Sequence, residues 1–233
     1  MIPIRDANPS LRPPIVNYLV IGVCLGVFFY ELALGRQLER FAFAYGLVPV
    51  RYTHWEIAAR FNWVEQLIPF FSYMFLHGGW LHLIGNMWTL YIFGDNIESE
   101  LGHLRYALFY LASGVAAAVI QLVTNFDSAV PTIGASGAVA GVMGAYFVLF
   151  PRARILAFVP VFFFFTLVEI PAYVFLGFWF LLQFFSGTFS LLGDAKHMAG
   201  IAWWAHIGGF IGGILLLKIF KPSRSLPRLR RYL

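Results

Sequence analysis

A serine and a histidine, each followed by glycines, are the residues of this sequence whose types and spacing could support nucleophilic chemistry. Ser136 lies in the run GASG that begins at Gly134, and His206 lies in the run AHIGG. A serine hydroxyl becomes an effective nucleophile when a nearby base such as imidazole takes its proton. No Asp or Glu is expected at the depth of His206, so the pattern predicts a Ser–His dyad rather than a triad.

Both residues also have structural explanations. A serine between glycines at the start of a helix can cap that helix or mediate helix packing. A histidine in an apolar stretch can be a core side chain bonded to a backbone carbonyl. A catalytic serine at a helix N-terminus would instead lie beside unpaired backbone N–H groups that could hold an oxyanion.

A second polar group precedes the serine in the chain. His82 and Asn86 are four residues apart and project from one helical face, where one could orient the other or both could donate to a developing negative charge. His77 lies five residues before His82, just outside the same apolar stretch. Three histidines could also hold a metal, but no carboxylate or cysteine joins them and the serine would be left unexplained, so no metal is predicted.

Glycines at helical spacing follow both the serine and the histidine. Such small-xxx-small patterns let helix backbones approach closely within a membrane. The glycines after the serine are Gly137, Gly141 and Gly144, and those after the histidine are Gly208, Gly209, Gly212 and Gly213. Packing of these two faces would bring the serine hydroxyl within hydrogen-bond reach of the imidazole.

Membrane helices are the elements that must carry these residues. Of the 233 residues, 60% are hydrophobic and 12% charged, and the mean hydropathy of +0.76 excludes an ordinary water-soluble domain. A span needs about 20 apolar residues, so the chain has room for about six. The spans are predicted at 15–34, 80–95, 106–123, 135–150, 171–185 and 201–218, with an amphipathic, interfacial segment at 35–69.

The basic residues predict how these spans are oriented. Six of them occur between Lys218 and Arg231, which indicates a membrane-facing tail and not a nucleic-acid site. Of the 16 Lys and Arg residues, 11 lie on one side of the spans, so both termini are expected in the cytoplasm. We therefore predict an all-α membrane protein with a cytoplasmic segment at 1–14, a six-helix domain at 15–220 and a basic cytoplasmic tail at 221–233. Four polar residues on these spans then lie at similar depth near the outer face, namely His82, Asn86, Ser136 and His206.

Three motifs in this order resemble the bacterial rhomboid proteases, which are intramembrane serine proteases. They are the run HGGWLHLIGN from His77 to Asn86, the run GASG around Ser136 and the run AHIGG around His206, and FGDNIE at 93–98 is also similar to the family. The resemblance implies a six-transmembrane-helix rhomboid bundle in the bacterial inner membrane. It also implies cleavage of the transmembrane segments of single-span proteins, without a metal, nucleotide or other cofactor.

Carried over by position, the resemblance implies Ser136 as the nucleophile and His206 as the general base. It implies that His77 and Asn86 form an oxyanion hole with the backbone N–H of Ser136, and that His82 lies close by. The fifth helix and the loop that follows it, at 186–200, would act as a substrate gate and cap.

The sequence departs from the family pattern at two places. Ala140 stands where some members place a tyrosine against the catalytic imidazole, and the stretch 67–70 lacks the Trp-Arg pair found in the outer loop of some members. Two other functions stay open. One is an inactive rhomboid-like protein that binds membrane segments for sorting or degradation, and the other is a small-solute transporter or channel.

Overall fold

Most long apolar stretches of this chain form helices, in which backbone N–H and C=O groups pair within the segment itself except at its ends. The computed structural model describes residues 1–161, 164–192 and 202–220. In chain order the helices are α1 (Ile15–Ala33), α2 (Leu38–Tyr45), α3 (Val50–Thr53), α4 (Trp55–Ala58), α5 (Trp63–Leu67), α6 (Pro69–Ser72), α7 (Trp80–Leu101), α8 (His103–Thr124), α9 (Ser136–Leu149), α10 (Ala172–Leu192) and α11 (Trp203–Phe220).

Four of these helices, α1, α8, α10 and α11, are long and apolar enough to cross a membrane. The helical segment 63–75 and α7 form an apolar pair bent by 80°, which could provide a fifth span. The remaining apolar helix, α9, has 14 residues, about 21 Å of helix against the roughly 30 Å of a bilayer core. The described chain is thus a mostly helical, multi-pass membrane protein with four or five candidate spans, and helix length does not establish the predicted sixth.

The segment between α1 and α7 is held together by two local anchors. The side chain of Asn62 accepts a hydrogen bond from the Glu65 N–H at 3.0 Å, while the Glu65 carboxylate accepts from the Asn62 N–H at 2.9 Å. The guanidinium of buried Arg51 donates to the Phe43 carbonyl at 3.0 Å and lies 3.9 Å from the ring centroid of Phe61. The location of this segment at a membrane interface stays a prediction.

The chain also contains a three-stranded antiparallel sheet, so the all-α prediction is wrong for these residues. Strands β2 (Arg154–Val161) and β3 (Phe164–Pro171) pair with each other, and β1 (Ile2–Asp6) pairs with β2, which gives the order β1-β2-β3. The apolar run from residue 155 lacks a helical period, and its aromatic and β-branched residues favour a strand. The fifth predicted span begins at Ala172, directly after β3.

The centre of the bundle is α9, which packs most extensively against α11. A Cβ atom added to Gly209 would meet the carbonyl oxygen of Gly137, and one added to Gly213 would meet that of Gly141. Glycine therefore permits a backbone approach that any side chain would block. The two helices run parallel, so both begin at the end of the bundle where Ser136 lies, which we call the serine end.

Candidate active site

Ser136 is the first residue of α9 and is half-buried. The N-cap residue of α9 is Ala135, and no side chain makes a cap hydrogen bond to the helix. The Ser136 hydroxyl is therefore not engaged as a cap, which is one of its two structural alternatives. The first N–H groups of a helix have no partner within it. Ser136 therefore lies in a turn whose backbone N–H groups are free to donate hydrogen bonds.

The turn before α9 depends on Gly134, whose φ of +130° favours glycine. A Cβ atom at this position would lie 2.6 Å from His82 Nε2 and 3.6 Å from Ser136 Oγ. The Gly134 N–H donates to the Tyr73 carbonyl at 2.8 Å, which fixes the turn. The His82 ring and the Ser136 hydroxyl thus border the same backbone position.

His206 lies in the first turn of α11 with two tryptophan rings beside its own. The ring centroids are 5.9 Å from Trp179 of α10 and 6.3 Å from Trp203 of α11. The carbonyl oxygen of the preceding residue would lie 3.6 Å from a Cβ on Gly137, so the histidine turn of α11 faces the serine turn of α9. Among the described residues no hydrogen bond joins Ser136 to His206. Catalytic hydrogen bonds often shorten only when substrate is bound.

Gln183 of α10 is the hydrogen-bond partner of His206. Its Oε1 atom lies 2.7 Å from His206 Nδ1. Because an amide oxygen only accepts hydrogen bonds, Nδ1 carries the proton and Nε2 of the neutral ring keeps its lone pair. The sequence prediction did not include Gln183, although a glutamine inside an apolar helix was a signal that could have found it.

His77 is buried and is held at two atoms. Its backbone N–H donates to the carboxylate of Glu31, at 3.1 Å from Oε2, and its Nδ1 donates to the Phe75 carbonyl at 3.2 Å. With Nδ1 protonated, Nε2 of the neutral ring is an acceptor, and this buried atom has no partner in the described part of the chain. Glu31 is a further residue that the sequence prediction did not place at the site.

His82 has the other tautomer. Its Nδ1 accepts the Gly78 N–H at 3.4 Å, so the proton of the neutral ring is on Nε2, the atom that borders Gly134. The ring centroids of His77 and His82 are 5.3 Å apart. Asn86 lies one turn further along α7, and its buried Nδ2 has no partner among the described residues. Of these three predicted side chains, His82 and Asn86 therefore each present an N–H donor, at Nε2 and Nδ2 respectively, that is free to bind another group.

The remaining predicted packing glycines of α11 face α8. A Cβ on Gly208 would lie 2.6 Å from Ile120, and one on Gly212 would lie 2.8 Å from Ala116. The other two glycines of α11 face α9, as described above. The helix that carries His206 is thus packed closely on two sides, and α10 covers a third.

Serine, histidine and amide side chains thus lie together at one end of a multi-pass helical membrane protein. Comparison with protein families identifies the kind of protein that this fold belongs to. The Rhomboid domain model matches residues 64–223, well over half of the chain. The chain therefore belongs to the rhomboid family.

Curated relatives agree with this assignment. The chain is 28% identical over 158 residues to Rhomboid protein 1, mitochondrial, of Saccharomyces cerevisiae, an alignment that covers 66% of the chain and 42% of the relative. It is 30% identical over 137 residues to Rhomboid-related protein 2 of Mus musculus, covering 59% and 43% respectively. It is 38% identical over 74 residues to RHOMBOID-like protein 5 of Arabidopsis thaliana, covering 32% and 24%. The chain spans less than half the length of each of these relatives.

Proposed function

We propose that this protein is an intramembrane serine endopeptidase in which Ser136 is the nucleophile and His206 the general base. The observation that carries the proposal is the close packing of α9 against α11, which sets the serine turn against the histidine turn. The hydrogen bond from His206 Nδ1 supports it, because the remaining nitrogen is then free to take a proton. Membership of the rhomboid family is consistent with this chemistry.

The reaction would proceed in two halves. His206 Nε2 takes the proton from Ser136 Oγ as the oxygen attacks the carbonyl carbon of the scissile peptide bond. The same proton then passes to the leaving nitrogen as the C–N bond breaks, which leaves an acyl-serine. A water molecule, deprotonated by the same imidazole, attacks this ester, releases the carboxylic acid product and restores the serine.

The oxyanion of each tetrahedral intermediate would be held by donors at the serine end. We assign this role to the Ser136 N–H, Asn86 Nδ2 and His82 Nε2, because preorganised donors stabilise charge that develops in the transition state. The unpartnered Nδ2 of Asn86 supports this assignment. His77 Nε2 would donate only in the doubly protonated ring, so the neutral side chain would bind substrate as an acceptor.

We also propose that α9 completes a six-helix bundle. A helix that starts below the membrane surface at Ser136 needs fewer residues than a full crossing. The domain would extend over 15–220 in a bacterial inner-membrane protein, with the segment 1–14 in the cytoplasm. The tail predicted at 221–233 lies outside the described residues. Single-span membrane proteins would enter past α10, and the proposed cap at 186–200 falls partly outside the described residues.

An inactive rhomboid-like protein that binds membrane segments is the second candidate. One observation favours it, namely that no hydrogen bond joins Ser136 to His206 in the described residues. A fluorophosphonate probe separates the two candidates, because it bonds covalently only to a serine whose hydroxyl is activated.

The test combines probe labelling with cleavage of a single-span model substrate. In Ser136→Ala and His206→Ala variants we expect both signals to fall by at least about 10³-fold. Ser10→Ala and His54→Ala, which change the same residue types away from the site, should behave as wild type. Wild-type activity in either of the first two variants would sink the dyad. Solute flux through liposomes without any labelling would indicate a transporter instead.

A further inference from the structure

We propose that Gln183 is the positioning residue for His206, holding the imidazole in the tautomer whose Nε2 can accept the Ser136 proton. This inference rests on the proposed roles of Ser136 and His206. It also answers a question left by the sequence, in which Ala140 replaces the tyrosine expected to pack against the imidazole.

The contact has the geometry of a strong hydrogen bond. The Oε1–Nδ1 distance is 2.7 Å, and Gln183 is 7% exposed, so little water competes for the amide oxygen. Trp179 lies one turn earlier on the same face of α10, with its ring tilted by 35° against that of His206. The imidazole is therefore restrained by α10 both at one nitrogen and along its ring.

A neutral acceptor suits this location better than a carboxylate. In soluble serine hydrolases an aspartate holds the histidine tautomer and also stabilises the imidazolium. A carboxylate inside a membrane bundle would be costly to bury without a partner. A glutamine oxygen selects the tautomer without adding a charge, so its removal should lower the rate without abolishing it.

The position of Gln183 also makes the base depend on α10. Of the residues in the membrane window of α10, 28% are buried, compared with 39% for α11. Neighbouring side chains such as Leu182 are largely exposed on the outer surface of the bundle. A displacement of α10 would therefore withdraw the acceptor from His206 and slow the reaction until α10 packs against the bundle again.

The first experiment compares labelling and cleavage rates in full-length variants. Gln183→Met keeps the length of the side chain but removes the acceptor, and we expect kcat and the probe labelling rate to fall about 10- to 100-fold, with KM changed less than about 2-fold. Gln183→Glu keeps an acceptor oxygen in either protonation state and should recover most of this loss. Leu108→Met, which introduces the same residue on the exposed face of α8 and away from the entry path, should match wild type. Unchanged rates in Gln183→Met would overturn the proposal.

The second experiment reads the tautomer directly and does not depend on activity. Protein labelled with 15N-histidine, in a Ser136→Ala background, should give a His206 spectrum with Nδ1 protonated and Nε2 bare, and Gln183→Met should give a mixture of tautomers. An unprotonated Nδ1 of His206 in the protein that retains Gln183 would contradict the proposal. If the wild-type protein neither cleaves nor labels, the proposed function fails while this spectrum still tests the Gln183 contact.

Discussion

Far from Ser136, at the opposite end of the bundle, buried polar side chains have hydrogen-bond partners, whereas several at the serine end have none. The carboxylate of Glu98 is fully buried and accepts the N–H groups of Val16 and Asn17, at 2.9 and 2.7 Å, at the start of α1. It also lies 2.5 Å from His103 Nδ1. A carboxylate at a helix N-terminus satisfies free amides and complements the helix dipole.

At the serine end, the buried nitrogen atoms without a partner within the described residues include His77 Nε2, Asn86 Nδ2 and Trp203 Nε1. Burying an unpaired polar group lowers stability, typically by about 1–3 kcal/mol. Such groups persist where function requires them, because a donor already bonded to the protein cannot bind an oxyanion. The comparison indicates that the opposite end supplies stability and the serine end supplies chemistry.

The largest effect is expected from breaking the paired end. Glu98→Ala leaves two α1 amides and His103 without their acceptor, and should lower the free energy of unfolding by about 3 kcal/mol. Thermal unfolding in detergent would measure it. Glu100→Ala, on the same turn of α7 but partly exposed, is the control and should cost little. Equal losses in the two variants would remove the distinction between the two ends.

At the serine end we expect a loss of activity with little change in stability. Asn86→Leu removes a buried donor that has no partner, so the free energy of unfolding should stay within about 1 kcal/mol of wild type. Cleavage should nevertheless fall about 100-fold, as for other oxyanion donors, and probe labelling should fall with it. A stable variant with full activity would show that the unpaired amide has no catalytic part.

Composition predicts that the helices exist more reliably than it predicts where each helix ends. The spans predicted at 15–34 and 106–123 agree with α1 and α8 to within three residues, because long apolar runs have few other solutions. The span predicted at 80–95 stopped too early, since α7 continues to Leu101. Glu98, one of the polar residues that resemble a helix end, is buried there and accepts hydrogen bonds from the first turn of α1.

The sheet and the site partners were harder to predict. An apolar run such as that of β2 and β3 is ambiguous between helix and strand until its pairing is known. Gln183 and Glu31 act on histidines 23 and 46 residues away in the chain, so only tertiary packing reveals them. The motif residues around Ser136 and His206, by contrast, were conspicuous because glycines and polar groups are rarely grouped on membrane helices.

The smallest effect is expected at the end of the bundle opposite Ser136, where Asp6 of β1 accepts a hydrogen bond from the Tyr146 hydroxyl at 2.5 Å. Burial raises the pKa of Asp6 although the hydrogen bond from Tyr146 opposes the shift. The folded protein therefore binds this proton more tightly than the unfolded chain, and the stability that the proton confers is lost as pH rises through the folded-state pKa. Asp6→Asn keeps an acceptor oxygen without the charge, and should raise the free energy of unfolding at pH 7 by about 0.5 kcal/mol, with the gain vanishing in acid. Unfolding curves at several pH values would measure this, with Asp127→Asn in an exposed loop as the control. A loss of stability at pH 7 would mean that the ionised carboxylate, like that of Glu98, is a partner that the fold requires.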